Sequence, residues 1–126
     1  MNKLTEEWIE KAEKDYLVAA REMELAPPVP EAVCFHSQQC IEKYMKAILQ
    51  ENRVEPEKTH DLDILLRKCK EFLPDLEHYR DEIIKLSVYA VNVRYPGSEV
   101  LEEEAREILE ITRRIRELIR RYFVLI

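Results

Sequence analysis

Glycine is almost absent from this sequence, since Gly97 is the only one among 126 residues. A loop that cradles phosphates with backbone N–H groups needs several glycines, so a P-loop and a dinucleotide-binding fingerprint are both excluded. The chain also lacks an HExxH zinc motif, a CxxC pair and a G-x-S-x-G nucleophile turn. The sequence therefore carries none of the common signatures of these enzyme classes.

Cysteine and histidine are sparse as well, with three of each. Cys34, Cys40 and Cys69 occupy apolar helical positions without paired spacing, which indicates reduced thiols and not a disulfide framework or a zinc site. The three histidines share no ligand spacing. We therefore expect no metal and no organic cofactor.

Long hydrophobic runs are missing too. No apolar stretch reaches membrane-spanning length, and Met1 leads directly into a charged segment instead of a signal peptide, so we expect a cytoplasmic protein. The net charge of −6 argues against nucleic-acid binding over the whole surface but leaves room for a local basic patch. A hydrophobic content of 46% predicts one folded domain over residues 1–126.

Proline and glycine mark the ends of the predicted elements. All six prolines and the one glycine fall between helical patterns, and they divide the chain into five predicted helices at about 4–25, 31–52, 62–72, 76–94 and 99–123. No segment has a period of two, and the connections are short, so we predict an all-α, up-and-down helical bundle of about five helices. The predicted N-caps are Thr5, Thr59 or Asp61, Asp75, and Ser98.

The second predicted helix is long, and we place it near the middle of the bundle. Its apolar residues form two adjacent stripes, wider than a single neighbour would cover: Val33, Cys40, Tyr44 and Ala47, and Cys34, Ile41, Met45 and Ile48. Its narrow polar remainder includes Gln38, Gln39 and Glu42. A buried amide must find partners, so the two glutamines either tie helices together or face a ligand.

Three polar strings stand where predicted helices begin and end, namely QQCIEKYMKA, KTHDL and NVRYPG. With these strings, and with an opening A-x-x-D-x-x-x-A, the chain resembles the HEPN domain family over nearly its whole length. The residues that carry the resemblance are Ala12, Asp15, Ala19, Ala32, Phe35, Gln38, Gln39, Glu42, Lys43, Lys46, Ala47, Thr59, His60, Asp61, Leu62, Arg94, Tyr95 and Pro96.

The resemblance implies a nucleotide-binding or nucleic-acid-binding module of prokaryotic type. It also implies a homodimer, or a nucleotidyltransferase partner in a toxin–antitoxin-like pair. One branch of the family cleaves RNA with an Arg-x(4–6)-His motif. Here no histidine follows Arg94, and the only pair with that spacing, Arg53 and His60, falls in the loop before the third helix. We therefore assign no catalytic residue and leave enzyme activity open.

Six residues form the candidate ligand-binding set, and each has a simpler alternative. Arg94 is the candidate phosphate contact, because a guanidinium offers forked donors; otherwise it interacts with the carbonyl end of helix four. Tyr95 stacks on a base or belongs to the core. His60 donates to an anion at a helix start or has a local role in the turn. The other three are Gln39, Lys43 and Lys46, and the lysines are otherwise solvated, with Glu42 to Lys46 an ordinary ion pair.

The end of the chain leaves two questions open. Five arginines near the end of helix five either contact RNA or are favoured there by the helix dipole: Arg113, Arg114, Arg116, Arg120 and Arg121. The apolar tail 122–126 packs against another subunit or back onto the bundle. The alternatives to ligand binding are a protein–protein interaction module and, less favoured, a metal-independent ribonuclease.

Overall fold

The fold is known from a computed structural model, which describes residues 1–56, 58–92 and 96–124, with the side chain of Asn92 excepted. Its elements are α1 (Lys3–Met23), α2 (Pro30–Glu51), α3 (Leu62–Cys69), a 3₁₀ segment (Pro74–Tyr79), α4 (Arg80–Asn92) and α5 (Glu102–Tyr122). No strand occurs in these ranges. The predicted all-α bundle of five helices is confirmed. Among the described helices, none combines the length and apolarity that crossing a membrane requires.

Helix α2 lies at the centre of the bundle and contacts all four other α-helices. Every residue of its two predicted apolar stripes is buried. The central placement follows from the sequence, because an apolar arc wider than one helix can cover must be shared among several neighbours. The remaining polar arc of α2 faces α1 on one side and the loop before α3 on the other.

The start of α1 differs from the prediction. Asn2, and not Thr5, is the N-cap: the Asn2 Oδ1 accepts from the Thr5 backbone N–H and from the Thr5 hydroxyl, each at 2.8 Å. Thr5 is buried, and the buried face of α1 then follows the helical repeat through Ile9, Ala12 and Ala19. Trp8 and Tyr16 flank that face and are half-buried.

The start of α3 confirms one of its two predicted caps, whereas the start of the fourth helix differs from the prediction. Asp61 is the cap of α3, with its carboxylate 2.9 Å from the Asp63 N–H. The fourth helix begins as a 3₁₀ segment at Pro74, so Asp75 lies inside that segment and does not cap it.

Ser98 does not cap α5, which begins only at Glu102. The Glu104 side chain accepts from the Leu101 N–H at 3.0 Å, and this bond replaces the predicted cap. Because Leu101 lies just outside the helix, it is exposed and not buried as predicted.

The end of α2 is closed by a residue with left-handed backbone. Arg53 has φ of 59°. The Arg53 N–H donates to the Gln50 carbonyl at 3.2 Å, and the Val54 N–H donates to the Leu49 carbonyl at 2.9 Å. This is the hydrogen-bond pattern of a Schellman motif. Glycine is the residue that most easily adopts the left-handed backbone of this motif.

The first two residues of the apolar tail fold back onto the bundle, one of its two predicted placements, whereas Val124 is exposed. Tyr122 and Phe123 are half-buried and pack against the core. The Asn52 side chain donates to the Tyr122 hydroxyl at 2.8 Å. Leu125 and Ile126 lie outside the described residues.

Candidate functional site

One buried carboxylate organises the first part of the polar arc of α2. Asp15 of α1 lies 2.8 Å from His36 Nδ1 through one oxygen and 2.6 Å from Lys43 Nζ through the other. The Asp15 side chain is 11% exposed and the Lys43 side chain 24%. The Lys43 ammonium is therefore held against a buried carboxylate and is not a freely solvated lysine.

A second carboxylate, Glu42, organises the next turn. Its Oε2 lies 3.1 Å from Lys46 Nζ, and its two oxygens lie 3.0 and 3.1 Å from His60 Nδ1. The side chains of Glu42 and Lys46 are only 3% and 8% exposed. The Lys46 ammonium also lies over the Trp8 ring, 5.5 Å from its centroid. Charges this deeply buried are tolerated only when paired, so the predicted Glu42–Lys46 pair belongs to the interior and not to the surface.

The two glutamines extend the Glu42 cluster to the surface. Gln38 Nε2 lies 3.3 Å from Glu42 Oε1 and 3.2 Å from the His60 carbonyl oxygen. Because both neighbours are acceptors, the amide nitrogen must face them. The Gln38 carbonyl then accepts from Gln39 Nε2 at 2.8 Å. Gln38 is buried and ties α2 to the loop before α3, while Gln39 is half-buried.

These groups border a groove of about 400 Å³ between α2, the start of α3 and the last turns of α4. Its lining residues are Gln38, Gln39, His60, Asp61, Ser87, Ala90 and Val91. The His60 side chain is 81% exposed although its Nδ1 is held by Glu42, so its Nε2 remains accessible. The Ser87 hydroxyl is buried and has no hydrogen-bond partner among the described residues. The volume is in the range of small-molecule sites.

A larger groove of about 750 Å³ lies between α1 and α5, but both of its arginines are already paired with glutamates. Arg106 pairs with Glu102 at 3.3 Å, and Arg113 pairs with Glu110 at 2.9 Å. A ligand there would compete with existing ion pairs. We therefore regard the smaller groove, where polar groups with free hydrogen-bonding capacity converge, as the candidate site.

The five arginines near the end of α5 are paired with acidic side chains, which does not favour a basic RNA-binding surface. Two of them bind Glu13 of α1: Arg116 through both of its forked nitrogens at 2.6 and 2.7 Å, and Arg120 at 3.3 Å. The Tyr44 hydroxyl also donates to Glu13. Burial opposes the ionisation of Glu13, but the bonds from Arg116 and Tyr44 hold the pKa of this carboxyl below its usual value. The other three pair with glutamates of their own helix: Arg113, Arg114 and Arg121.

The structure brings only part of the predicted ligand-binding set together. Gln39 and His60 both line the groove, whereas Lys43 and Lys46 do not and are paired with carboxylates. Arg94 and Tyr95 lie outside the described residues, so their predicted roles stay predictions. Arg53 is exposed at the end of α2 and does not line the groove.

Two features of the site were missed by the sequence analysis. Ser87 lies in the groove, and Glu42 holds the ring of His60. The only signal for Ser87 was a small polar residue between apolar helical positions. No local signal connects Glu42 to His60, since 18 positions separate them.

The comparisons with known proteins agree with this architecture. A family model described as the HEPN domain matches residues 5–122 of the chain. Searches of curated proteins and of solved structures found no match. HEPN domains are nucleotide-binding or ribonuclease-type modules. Because the match spans nearly all of an all-α bundle, this chain belongs to the HEPN domain family.

Proposed function

We propose that this HEPN domain binds a nucleotide or a nucleic-acid ligand in the groove between α2, α3 and α4. The observation that carries the proposal is the convergence of polar groups with free hydrogen-bonding capacity. His60 Nε2 is accessible, and the Ser87 hydroxyl, buried in the wall of the groove, has no partner in the described part of the chain. Gln39 uses one N–H on Gln38, which leaves its carbonyl oxygen for a ligand. Such a mixture beside apolar groups is typical of ligand sites.

The charges in the groove indicate which part of the ligand it contacts. The described lining contains no lysine or arginine, and Asp61 adds a carboxylate. The described lining therefore suits a base or a sugar better than a phosphate. We assign the phosphate to Arg94, which follows Val91 by three positions in the sequence, and base stacking to Tyr95. Lys43 contributes a secondary donor only if its ammonium is shared between Asp15 and the ligand.

We further propose that the protein acts as a homodimer, or with a nucleotidyltransferase partner in a toxin–antitoxin-like pair. Three apolar side chains of α4 support a protein contact: Ile84, Val88 and Val91 are 42%, 48% and 54% exposed. Their spacing places them on one face of the helix, and such a stripe is commonly covered by another protein surface. Val91 belongs both to this stripe and to the groove. The same stripe favours the second candidate function, an interaction module without ligand chemistry.

A thermal-shift titration with AMP, ADP and ATP tests the ligand proposal. At about a hundred times its dissociation constant, a ligand adds about 2.7 kcal/mol to the free energy of unfolding. For a domain of this size that raises the midpoint by several degrees. We expect the shift to disappear in Arg94→Ala and to shrink in His60→Ala. His78→Ala is the matched control, because His78 is exposed on the 3₁₀ segment and does not line the groove.

The absence of a shift with every nucleotide would reject the ligand proposal and favour the interaction module. Sedimentation then shows whether the protein is a homodimer or a monomer. A homodimer that uses the α4 stripe should dissociate in Val88→Lys, because the substitution places a charge at the centre of the apolar face. A monomeric wild-type protein would reject the homodimer.

A further inference from the structure

We infer that Gln39 recognises a nucleobase with an exocyclic amine, and that the buried carboxylate of Glu42 fixes the orientation of the Gln39 amide through Gln38. The inference rests on the proposed nucleotide-binding function and adds a ligand class to it. Its basis is the chain of hydrogen bonds that runs from Glu42 through Gln38 to Gln39, which we call the amide chain.

Only one orientation of the two amides satisfies the hydrogen bonds of the amide chain. A carboxylate accepts hydrogen bonds and donates none, and the His60 carbonyl oxygen likewise only accepts. Both lie at hydrogen-bonding distance from the same end of the Gln38 side chain, so that end must be the NH₂ group. The other end is then a carbonyl oxygen, and Gln39 must donate to it. Reversal of either amide would set two donors or two acceptors against each other.

The amide chain therefore determines what Gln39 presents to the groove. One of its N–H groups is used on Gln38, while the second N–H and the carbonyl oxygen have no partner among the described residues. A glutamine amide with a free N–H and a free carbonyl oxygen forms two hydrogen bonds with a base that offers a donor beside an acceptor, as adenine does with its amine and ring nitrogen. Cytosine offers the same pair of groups on its own edge.

A base with an oxygen in place of the amine loses this match. Hypoxanthine and uracil differ from adenine and cytosine at that group, and in the same pose their oxygen would face the Gln39 carbonyl oxygen. A free amide would rotate by half a turn to relieve the clash. Here rotation would break the bond to Gln38, whose own direction is set by Glu42. The cost of rotation is the source of the selectivity.

The walls of the groove suit the ring of a base. Ala90 and Val91 of α4 provide an apolar surface. The described lining contains no lysine or arginine, and the ring of His60 is held by the Glu42 carboxylate. An uncharged, hydrogen-bonding ring is therefore the part of a nucleotide that this groove best accommodates.

Calorimetric titration of the full chain with two matched pairs of monophosphates, AMP against IMP and CMP against UMP, tests the inference. We expect wild-type protein to prefer the amine-bearing member of at least one pair by about tenfold, the scale of one matched contact between an amide and a base. A preference confined to the first pair assigns the groove to purines, and one confined to the second assigns it to pyrimidines.

Two variants separate base recognition from general binding. Gln39→Met should reduce the ratio of the two affinities to about one, because the recognising group is gone. Gln38→Met keeps the side-chain shape but leaves the Gln39 amide free to rotate, so the ratio should fall more than the affinity for AMP. Gln50→Met is the matched control, since Gln50 is a half-buried glutamine of α2 that does not line the groove. Circular dichroism verifies that each variant is folded.

The result that overturns the inference differs from the result that overturns the proposed function. Equal wild-type affinities within both pairs, with both weakened by Arg94→Ala, would retain nucleotide binding and refute base recognition by Gln39. An unchanged preference in Gln39→Met would refute it as well. The absence of binding by all four monophosphates would refute the inference together with the proposed function.

Discussion

The buried ion pair between Glu42 and Lys46 should contribute far more to stability than an exposed pair of the same composition. We expect Lys46→Met to lower the free energy of unfolding by about 3 kcal/mol. Removing one member of a buried pair typically costs about 3–5 kcal/mol, because the remaining charge is left without a counter-charge. The lower end applies here, since Glu42 keeps its contacts with Gln38 and His60. Methionine preserves most of the apolar stem.

The chain contains a matched control for this measurement. Glu10 and Lys14 form a pair with the same residue types and the same spacing on α1, but their side chains are 70% and 73% exposed. The Glu42 and Lys46 side chains are 3% and 8% exposed. An exposed pair of this kind contributes less than about 0.5 kcal/mol, so Lys14→Met should be nearly neutral.

Urea denaturation at pH 7, monitored by circular dichroism, measures the free energy of unfolding of both variants. For a domain of this length, about 3 kcal/mol corresponds to a fall of about 10 °C in the thermal midpoint. The double variant Glu42→Leu, Lys46→Met should recover most of the loss, because no uncompensated charge remains in the interior. If Lys46→Met and Lys14→Met proved equally stable, the assignment of Glu42 and Lys46 to a buried, mutually dependent pair would be wrong.

Three further predictions concern stability and reactivity. Arg53→Gly should raise the free energy of unfolding by about 0.5–1 kcal/mol in the same denaturation assay, because glycine adopts the left-handed conformation without the steric cost that arginine bears. The pKa of Glu13 is lowered, so the stabilisation from its ionised carboxylate is complete above its unfolded pKa of 4.5 and is lost as the pH falls through its folded pKa. The wild type and Glu13→Gln should therefore differ in thermal midpoint at pH 7 and converge in acid, and a constant difference would contradict this. Burial raises the pKa of Cys34 and of Cys69 to about 12, so Ellman's reagent at pH 8 should react slowly with the native protein and promptly with all three thiols in guanidinium.

The periodicity of the sequence was sufficient for the fold, because helical burial is a local property. Both stripes of α2 are buried, and so is the apolar repeat of α3: Leu62, Leu65, Leu66 and Cys69. Helix starts were less predictable where tertiary packing determines them. Ser98 is a good capping residue, but Val100 is buried and α5 begins only after Leu101. At this helix start, the burial of Val100 in the core outweighs the local preference of Ser98 for the capping position.

The candidate site was predictable only in part, because its polar contacts join distant segments. Gln39 and His60 were identified from polar strings at helix ends, and they do line one groove. The pairing of Lys43 and Lys46 with buried carboxylates could not be derived from these strings. Lys43 depends on Asp15, which lies 28 positions earlier in the sequence. Lys46 depends on the burial of Glu42, and helical spacing alone does not distinguish that pair from a solvated one.

The central position of α2 links parts of the bundle that do not touch each other. Because α2 contacts every other α-helix, its middle turns cannot open unless the whole bundle unfolds. Hydrogen exchange at those amides therefore reports the global free energy of unfolding. Among the described residues, a ligand in the groove contacts α2, α4 and the loop before α3, yet it lowers the population of the unfolded state for the entire chain. The most protected amides of α1 should then exchange more slowly as well, although α1 does not line the groove.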